Sequence, residues 1–499
     1  MKICVLGAGT AGLVTALMLR EKYPFRSITV VKSGDIGIVG VGEGSTEHWA
    51  RFMDYIGLSI EEVVFNTRAT IKTGILFKDW SSKGSEYVHS LSDDPFSKHG
   101  RMDFFHQLWI EDKNKSKFPL SPLFENVFYK NNVPLFPDFK VSNQYHFDTY
   151  KLNAYLLKIC LERNISVIDT VVIDTVLCSV SGDITELVSE KGNIKAELFI
   201  DSSGFKRILS KKLNNKWVSK TEYLPMNHAI AFPTEHNNTE IEPYTTTTAL
   251  SSGWAWKIPT QDRYGNGYVF NDTFINTDEA LSEINNLLGI NVEKTAKDIK
   301  FEAGKMDKFW CKNVISTGLC GSFAEPLEAQ SIGFTIVQAF ALLDHLDGWC
   351  VDRVFSEKYN TSMDEVFDNI IDYLQMHYFV ERRDTKFWQE SPFTITAFNK
   401  DTQKLFRLGI IDHTSFKKNP YMMFASPNWY QVMHGLSLID KKHLQYKAAD
   451  TRYNTEVNQQ IKDQVKNAVR VSKSMPVWSH TDYLKYVEIS FNTKYAGLV

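Results

Sequence analysis

The first residues whose spacing could do chemistry form a glycine-rich turn near the start of the chain. Gly7, Gly9 and Gly12 stand in a GxGxxG pattern, with Thr10 and Ala11 between the last two glycines. In this pattern one glycine permits a tight turn, the next lets a pyrophosphate approach the backbone, and the third lets a helix pack closely on a strand. The free N–H groups at the start of that helix also attract phosphate. The segment therefore predicts a dinucleotide-binding site.

A second glycine-rich segment has four glycines within residues 37–44. Glycine has wide conformational freedom, so this segment predicts a mobile loop beside a ligand, to which Val41, Gly42 and Glu43 would contribute. An ordinary flexible connection is the alternative.

The residue after the second predicted strand departs from the usual nucleotide-binding pattern. An acidic side chain commonly holds the ribose hydroxyls there, whereas this chain has Lys32, with Asp35 three residues later. Three interpretations stay open: Asp35 takes over the ribose contact, that contact is lost, or Lys32 meets a phosphate.

Two tryptophans form a third candidate feature. Trp254 and Trp256 are two residues apart in the sequence Gly-Trp-Ala-Trp-Lys-Ile-Pro, so in a strand both side chains point to one face. From spacing alone, an amphipathic strand that covers a core is the simpler interpretation.

These residues need secondary-structure elements that bring them together. The first glycine turn lies in a predicted β-α-β unit, and segments 198–204 and 313–343 again place a strand before a small-residue turn. A helix is predicted over 148–162, capped by Asp148, and residues 351–499 are mainly helical. Parallel strands bind nucleotides at their carboxyl ends, so the pattern predicts an α/β, Rossmann-like fold in which the three turns converge.

Composition excludes several classes of protein. The 499 residues are 43% hydrophobic and 13% aromatic, which excludes a disordered chain and provides rings for a core or for a pocket around a flat ligand. A net charge of −3 gives no basic field, so we expect no nucleic-acid partner. The six cysteines form no CxxC pair, so we expect no metal site. Without an apolar stretch of about 18 residues or a signal segment, we expect a cytoplasmic protein with no membrane partner.

Taken in order, the motifs resemble those of flavin-dependent halogenases of the tryptophan-halogenase type. The family's WxWxIP signature is matched in full by Trp254, Trp256, Ile258 and Pro259, and in that family the two tryptophans separate flavin from substrate. The resemblance implies an FAD-binding fold of the flavin-monooxygenase type, with an interleaved substrate-binding part. It covers nearly the whole chain and includes the first glycine turn and residues 40–46, 145–148, 200–205, 265–268, 325–328, 377–378, 383–384, 387–388 and 429–433.

The resemblance also implies a chemistry. FAD, reduced to FADH2 by a separate flavin reductase, reacts with O2 and a halide ion to give hypohalous acid. This acid passes through a tunnel to an essential lysine beside a small aromatic substrate. The cofactor-binding positions that the resemblance implies are Gly7, Gly9, Thr10, Ala11, Gly12, Val41, Gly42, Glu43, Gly318, Leu319 and Ile332.

The resemblance places the essential lysine at Lys72, shortly before Phe77 and Trp80; Lys78 is the nearest alternative. An ammonium group can donate a hydrogen bond to hypohalous acid, and a neutral amine can instead form a haloamine; both routes stay open. Glu328 matches the family's second essential residue. A carboxylate there can orient the electrophile, stabilise the cationic ring or take its proton.

The chain departs from the family beside Glu328. Many members continue with Ser-Thr-Gly-Ile, whereas residues 329–332 here are Ala-Gln-Ser-Ile. The resemblance places the halide at Gln330 and Ser331, where backbone amides would bind it. Because Ser331 replaces a glycine, we expect bromide or iodide to be preferred, with chloride still accepted.

Other departures concern the substrate. The resemblance assigns His89, Trp388 and Trp429 to the substrate pocket, but Ser90 and Leu91 stand where many members have Pro-Phe. Free tryptophan is therefore not carried over, and the expected substrate is an electron-rich aromatic such as an indole or a phenol.

We expect one halogenase unit over 1–499, and self-association stays open. The main alternative function is a flavin-dependent aromatic hydroxylase, followed by a non-catalytic flavin-binding protein and an aromatic-rich binding module. The expected FAD-binding module comprises about 1–80, 148–210 and 300–350, and the substrate-binding part about 81–147, 211–299 and 351–499.

Overall fold

The computed structural model describes residues 1–34, 42–90, 102–112, 116–135, 144–236, 239–349, 353–390, 393–410, 419–440, 442–443, 445–446 and 456–495. Its strands are β1 (Lys2–Leu6), β2 (Ser27–Lys32), β3 (Glu43–Gly44), β4 (Thr70–Ile71), β5 (Gly74–Lys78), β6 (Glu86–Ser90), β7 (Asn132–Pro134), β8 (Tyr145–Phe147), β9 (Ser166–Asp169), β10 (Val172–Leu177), β11 (Ile184–Ser189), β12 (Ile194–Lys195), β13 (Leu198–Asp201), β14 (Trp217–Ser219), β15 (His228–Thr234), β16 (Thr245–Ala249), β17 (Gly253–Pro259), β18 (Tyr264–Phe270), β19 (Lys297–Lys300), β20 (Gly304–Met306), β21 (Trp310–Cys311), β22 (Val314–Ser316), β23 (Ser322–Phe323) and β24 (Val477–Ser479).

The helices are α1 (Thr10–Lys22), α2 (His48–Ile56), α3 (Ile60–Thr67), α4 (Met102–Asp112), α5 (Pro122–Asn126), α6 (Thr149–Glu162), α7 (Ile208–Lys212), α8 (Thr277–Leu288), α9 (Gln330–Trp349), α10 (Val354–Met376), α11 (Lys386–Glu390), α12 (Ala397–Leu408), α13 (Ser426–Gly435), α14 (Glu456–Ser474) and α15 (His480–Tyr495). Among the described residues, none of these helices is both long enough and apolar enough to cross a lipid bilayer.

A six-stranded sheet carries the first glycine turn. Its order is β21-β22-β13-β1-β2-β9, and all neighbours from β22 to β9 run parallel. The strands β1, β13 and β22 therefore end side by side at one edge. The expected α/β, Rossmann-like fold and the convergence of its three turns are confirmed.

The helix that follows the first glycine turn is internal. Helix α1 buries every residue from Gly12 to Leu19 and packs against α6 and α9. A helix that is apolar on nearly all sides is stable only inside the protein.

Helix α6 is capped at its N-terminus. The Asp148 carboxylate accepts the N–H groups of Tyr150 and Lys151, as the sequence predicts.

A seven-stranded sheet carries the two tryptophans. Its order is β19-β15-β18-β17-β16-β5-β6, with β17 antiparallel to both of its neighbours. Trp254 and Trp256 face the main hydrophobic core, which includes side chains from Ile3 to Val487. Ala255, between them, packs into a smaller core on the opposite face. The shared face of the two tryptophans is confirmed.

Candidate active site

The carboxyl edge of the six-stranded sheet closes tightly around Gly7. Ser202, just after β13, donates from Oγ to the carbonyls of Leu6 at 3.0 Å and Gly7 at 3.1 Å. A Cβ at Gly7 would collide with the Ser202 carbonyl, and one at Gly12 would collide with the Gly7 carbonyl. Packing between the strand ends and α1 therefore requires glycine at both positions.

The first residue before α1 has free space around it, in contrast to the tightly packed positions at Gly7 and Gly12. At the N-cap residue Gly9, no other described residue comes within 4 Å of the place that a Cβ would take. The first turn contains no acidic residue, and no side chain caps the helix. Thr10 Oγ1 is buried with no hydrogen-bond partner among the described residues. Because exposed helix N–H groups attract phosphate, these residues fit the pyrophosphate of FAD.

A third glycine reaches the same helix. Gly318, in the turn after β22, has a φ of +60°, and a Cβ there would lie 2.5 Å from the Cβ of Ala11. Leu319 follows Gly318 in this turn, and Ile332 is buried in the first turn of α9. The fold thus brings the first and the last of the predicted cofactor segments into contact.

Lys32 is paired across the sheet. Its Nζ lies 2.5 Å from Oδ2 of Asp169 at the end of β9, and Asp169 Oδ1 accepts the N–H of Gly34 at 3.0 Å. These two hydrogen bonds hold the pKa of the Asp169 carboxyl below its usual value. A carboxylate does stand near the end of β2, but a neighbouring strand supplies it.

The second glycine segment is described from Gly42 onward; Asp35, Val41 and Leu91 lie outside the described residues. A Cβ at Gly42 would lie 3.3 Å from the Cα of Gly265, on β18. Glu43 pairs with β8, and burial raises the pKa of its carboxyl to about 7.

Lys72 is fully buried between β4 and β5. Its Nζ donates to the carbonyl of Ser45 at 2.9 Å. Burial lowers the pKa of Lys72 to about 8, although the charges of Glu328 and Glu47 act in the opposite direction. The buried amine can therefore gain or lose a proton near neutral pH.

Lys78, the alternative lysine, lies in a different environment. Its side chain is 40% exposed, and its Nζ lies 3.6 Å from the Glu86 carboxylate. A solvated surface pair of this kind holds its charge at little cost. Burial therefore distinguishes Lys72 from Lys78 as the candidate for chemistry.

Glu328 lies in left-handed backbone, with a φ of +66°, in a short turn just before α9. His89 Nδ1 is 2.7 Å from Oε2, and His377 Nε2 is 3.0 Å from Oε1. The Tyr373 hydroxyl donates to Oε1 at 3.4 Å. Burial alone raises the pKa of the Glu328 carboxyl, but the electrostatic attraction of the two histidines and the hydrogen bonds that they donate outweigh it and hold the pKa well below its usual value.

Gly44 lies between the lysine and the glutamate segment. A Cβ at Gly44 would lie 3.1 Å from Lys72 Nζ and 3.2 Å from the Cβ of Ala329, the residue after Glu328. Ala329 also has a positive φ, of +54°. Consecutive non-glycine residues in this conformation are strained, and such strain concentrates at functional sites.

Gln330 and Ser331 begin α9. The buried Gln330 amide donates to the Glu325 carbonyl at 3.1 Å, and the Ser331 carbonyl accepts from Thr335 at 3.0 Å. The first turn of α9 contains no acidic residue. The positive end of this helix can therefore face an anion.

The two tryptophans of β17 pack against each other, with ring centroids 6.1 Å apart. Trp254 is 2% exposed. The Trp256 ring occupies the space above Gly267, on β18, where a Cβ would collide with it.

The C-terminal rings assigned to the substrate pocket are fully buried. Trp388 Nε1 donates to the Leu250 carbonyl at 2.7 Å, and Trp429 Nε1 donates to the Phe424 carbonyl at 3.3 Å. The Trp429 ring meets the Tyr373 ring edge-on at 5.4 Å. Trp429 thus packs against Tyr373, whose hydroxyl contacts Glu328.

Sequence reasoning assigned no role to Tyr373, His377 or Tyr378. The Tyr378 hydroxyl donates to both oxygens of Glu325 at 2.8 and 2.9 Å, and burial raises the pKa of Glu325 to about 8. Tyr373 and His377 are four residues apart, which places them on one face at the end of α10. The sequence contains this four-residue spacing and the His-Tyr motif, but neither indicates that these side chains contact Glu328 or Glu325.

Comparisons with known proteins agree in family and fold. The tryptophan halogenase family matches residues 2–451. The chain is 29% identical to tryptophan 6-halogenase ThaL of Streptomyces albogriseolus, over 89% of this chain and 90% of that protein. It is 26% identical to tryptophan 7-halogenase RebH of Lentzea aerocolonigenes, over 95% and 97%. The solved structure of BrvH, a flavin-dependent halogenase from Brevundimonas sp. BAL3, is similar with a TM-score of 0.82 and 25% identity, over 98% and 99% of the two chains.

Proposed function

Because the chain belongs to the tryptophan halogenase family and is a flavin-dependent halogenase, we propose that it delivers hypohalous acid through a tunnel to Lys72 for halogenation of an electron-rich aromatic. The observation that carries this proposal is the buried ammonium of Lys72 beside the segment of Glu328, with Gly44 between them. A charge without solvent is costly, and the same environment gives Lys72 a pKa suited to proton transfer.

Reduced FAD, when bound, would supply two electrons for the reduction of O2, and oxidation of the halide supplies the other two. One oxygen atom becomes water and the other forms the hypohalous acid. A separate flavin reductase provides this cofactor. Tight packing at Gly7 and Gly12 shapes the loop, and the open N-terminus of α1 would hold the pyrophosphate. The residues that would surround the cofactor are Gly7, Gly9, Thr10, Ala11, Gly12, Val41, Gly42, Glu43, Gly318, Leu319 and Ile332.

Lys72 acts as hydrogen-bond and proton donor. Ser45 holds one N–H of its ammonium group, which leaves the others to meet the oxygen of hypohalous acid. As the oxygen–halogen bond breaks, one proton passes from Lys72 to that oxygen, water forms, and the amine becomes neutral. The haloamine route would instead require a neutral amine before transfer.

Glu328 completes the substitution. The halogen bonds to a ring carbon, the C–H bond there breaks, its electron pair returns to the ring, and the proton bonds to the carboxylate. Return of this proton to the neutral amine of Lys72 restores the starting state. A carboxylate so close to the ring would also stabilise its transient positive charge.

Gln330 and Ser331 would offer backbone N–H groups to the halide at the start of α9. The serine in place of a glycine supports a preference for the larger bromide or iodide over chloride.

The substrate is an indole, a phenol or a related electron-rich ring. Trp254 and Trp256 would keep it away from the flavin, and His89, Trp388 and Trp429 would shape its pocket. The strands of the six-stranded sheet support a discontinuous FAD-binding module, with the substrate-binding part formed by the rest of the single unit. The module would comprise about 1–80, 148–210 and 300–350, and the substrate-binding part about 81–147, 211–299 and 351–499.

A mass-spectrometric assay tests the proposal. The full chain, a flavin reductase, FAD, NADH, oxygen and bromide are incubated with a panel of indoles and phenols. We expect brominated product from the wild type and from Lys78→Ala, and none from Lys72→Ala. Hydroxylated product alone, as an aromatic hydroxylase would give, contradicts the proposed reaction, and normal bromination by Lys72→Ala contradicts the site.

A further inference from the structure

The hydrogen-bond directions around Glu328 start from Asn428, at the beginning of α13. Its Oδ1 accepts the backbone N–H of Ala425 at 2.9 Å, and a backbone N–H can only donate. The side-chain amide is therefore oriented, and its NH2 group points at His89 Nε2, 3.1 Å away. Since this contact needs an acceptor, His89 Nε2 carries no proton.

His89 is neutral as a consequence. Its one proton lies on Nδ1, which donates to Glu328 Oε2 at 2.7 Å. A charged His89 would set an N–H against the Asn428 NH2 group in a site with 1% exposure of the histidine side chain, and such a buried clash of donors is costly.

His377 is held in the opposite way. Its Nδ1 lies 3.0 Å from the backbone carbonyl of Tyr373, which can only accept, so Nδ1 carries a proton. Its Nε2 lies 3.0 Å from Glu328 Oε1. A proton must also lie in this second contact, and it belongs either to His377, as an imidazolium, or to Glu328, as a neutral acid.

We propose that His377 is the charged partner of Glu328: an imidazolium that keeps the carboxylate ionised, while Asn428 keeps His89 neutral. The Glu328 carboxylate accepts hydrogen bonds from His89, His377 and Tyr373, and several donors to one carboxylate favour its ionised form. The His377 ring also lies 5.4 Å from the Phe77 ring at a moderate tilt, within the distance of about 6 Å over which an aromatic ring attracts a cation.

The charged groups around Glu328 are consistent with one charged histidine and one neutral histidine. The groups that act on Glu328 and its neighbours are Lys72 before β5, Glu47 before α2, and the phenols of Tyr87 on β6 and Tyr373 on α10. Lys72, Glu328 and His377 then carry a net charge of +1, to which Glu47 lies close enough to act on both Lys72 and Tyr373. A charged His89 would raise that total without a further anion.

The catalytic part of the inference rests on the proposed function. A halogenated ring that still holds its proton is a strong acid, so an ionised carboxylate suffices as base even though its pKa is low. His377 would thus be a positioning residue that keeps Glu328 unprotonated and fixed before the ring C–H bond breaks. No second base is needed, since the proton passes from carbon to Glu328.

Nuclear magnetic resonance of the full chain labelled with [15N]histidine tests the protonation states without turnover. At pH 7 we expect His377 to show protons on both nitrogens and His89 on Nδ1 alone, each assigned by loss of its signal in His377→Gln and His89→Gln. In Glu328→Gln, which removes the negative charge, we expect His377 to become neutral. His146, buried between the hydroxyls of Thr70 and Thr245, is the internal control and stays neutral throughout.

A neutral His377 in the wild type overturns the inference, as does a doubly protonated His89. Activity is measured separately, as brominated product per hypohalous acid formed in a single turnover. We expect His377→Gln to lower this ratio at least about ten-fold, and normal transfer would remove its positioning role. Failure of the proposed function would appear elsewhere, as normal bromination by Lys72→Ala, and would leave the spectra unchanged.

Discussion

At the scale of single residues, the charge of Lys72 opposes folding. Burial lowers the pKa of this amine from 10.5 to about 8, and at ~1.4 kcal/mol for each pKa unit this disfavours the folded state by about 3 kcal/mol at neutral pH. Methionine is similar in length and uncharged, and the lost hydrogen bond to Ser45 costs about 1 kcal/mol. We therefore expect Lys72→Met to abolish halogenation yet raise the free energy of unfolding by about 2 kcal/mol at pH 7.

The pH dependence of this gain has a defined sign. Because the folded-state pKa lies below the unfolded-state value, the penalty is complete below pH 8 and disappears as pH rises toward 10.5. Calorimetry should show a higher melting temperature for Lys72→Met at pH 7 and a smaller difference at about pH 10. The exposed Lys78→Met is the control and should show no gain. A destabilised Lys72→Met at pH 7 would argue against a charged, desolvated lysine.

The same pKa separates the two routes of halogen transfer. If the ammonium donates a hydrogen bond to hypohalous acid, transfer requires the protonated form, which is present below a pKa of about 8. We expect the ratio of brominated product to hypohalous acid formed to fall as pH rises from about 7 to 9. The measurement is a single turnover with pre-reduced FAD and a parallel trap for free hypohalous acid. A ratio that rises over this range would identify the haloamine.

At the scale of elements, the contact between the turn after β22 and helix α1 controls the cofactor site. Gly318 has a φ of +60°, and a Cβ there would lie 2.5 Å from Ala11, in the first turn of α1. Gly289 has a similar φ, of +68°, and no described residue comes within 4 Å of its Cβ position. Both alanine variants carry the backbone strain of about 1 kcal/mol, but only one displaces α1.

We therefore expect Gly318→Ala to weaken FAD binding by about ten-fold or more. Gly289→Ala, which has a similar cost in backbone strain, should bind FAD normally. Quenching of tryptophan fluorescence by FAD measures the two affinities. Equal affinities for both variants would show that the contact with Ala11 does not shape the cofactor site.

The elements also show what could be predicted from the sequence. The glycine turn, the cap of α6 by Asp148 and the shared face of Trp254 and Trp256 depend on neighbours within a few residues, so local spacing was sufficient. The environment of Glu328 depends on residues far apart in sequence: His89 comes from β6, and His377 directly follows α10. Only tertiary packing brings those side chains together, and no local pattern records their hydrogen bonds.

Position in the fold also changed the meaning of single residues. The sequence indicates no protein partner for Lys32, whereas in the fold β9 pairs beside β2 and supplies Asp169 to it. Lys72 resembles a solvated strand lysine by sequence. In the fold its buried amine lies beside Gly44, which also meets Ala329 from a turn far later in the chain. Such facts depend on which segments become neighbours, which strand patterns alone do not determine.

At the scale of the whole molecule, one hydrophobic core joins residues from β1 to α15. A ligand that binds the native state stabilises everything that unfolds with its site, by about 2.7 kcal/mol at a concentration 100-fold above its dissociation constant. FAD should therefore shift one cooperative melting transition of the full chain, not a separate transition of the first β-α-β unit.

Gly9 allows stability and cofactor binding to be separated in this transition. Its φ of −71° and ψ of 174° suit any residue, and the position is an uncapped helix N-terminus. An aspartate there can cap α1, which is worth about 1 kcal/mol, but its charge would face the pyrophosphate. We expect Gly9→Asp to melt at or above the wild-type temperature without FAD and to lose the shift that FAD produces. Gly9→Ala, which adds bulk without charge, should lose less of this FAD-dependent shift.

Two results would contradict this expectation. A normal FAD shift in Gly9→Asp would mean that the pyrophosphate binds away from this helix, whereas a lower melting temperature without FAD would mean that α1 does not accept the cap.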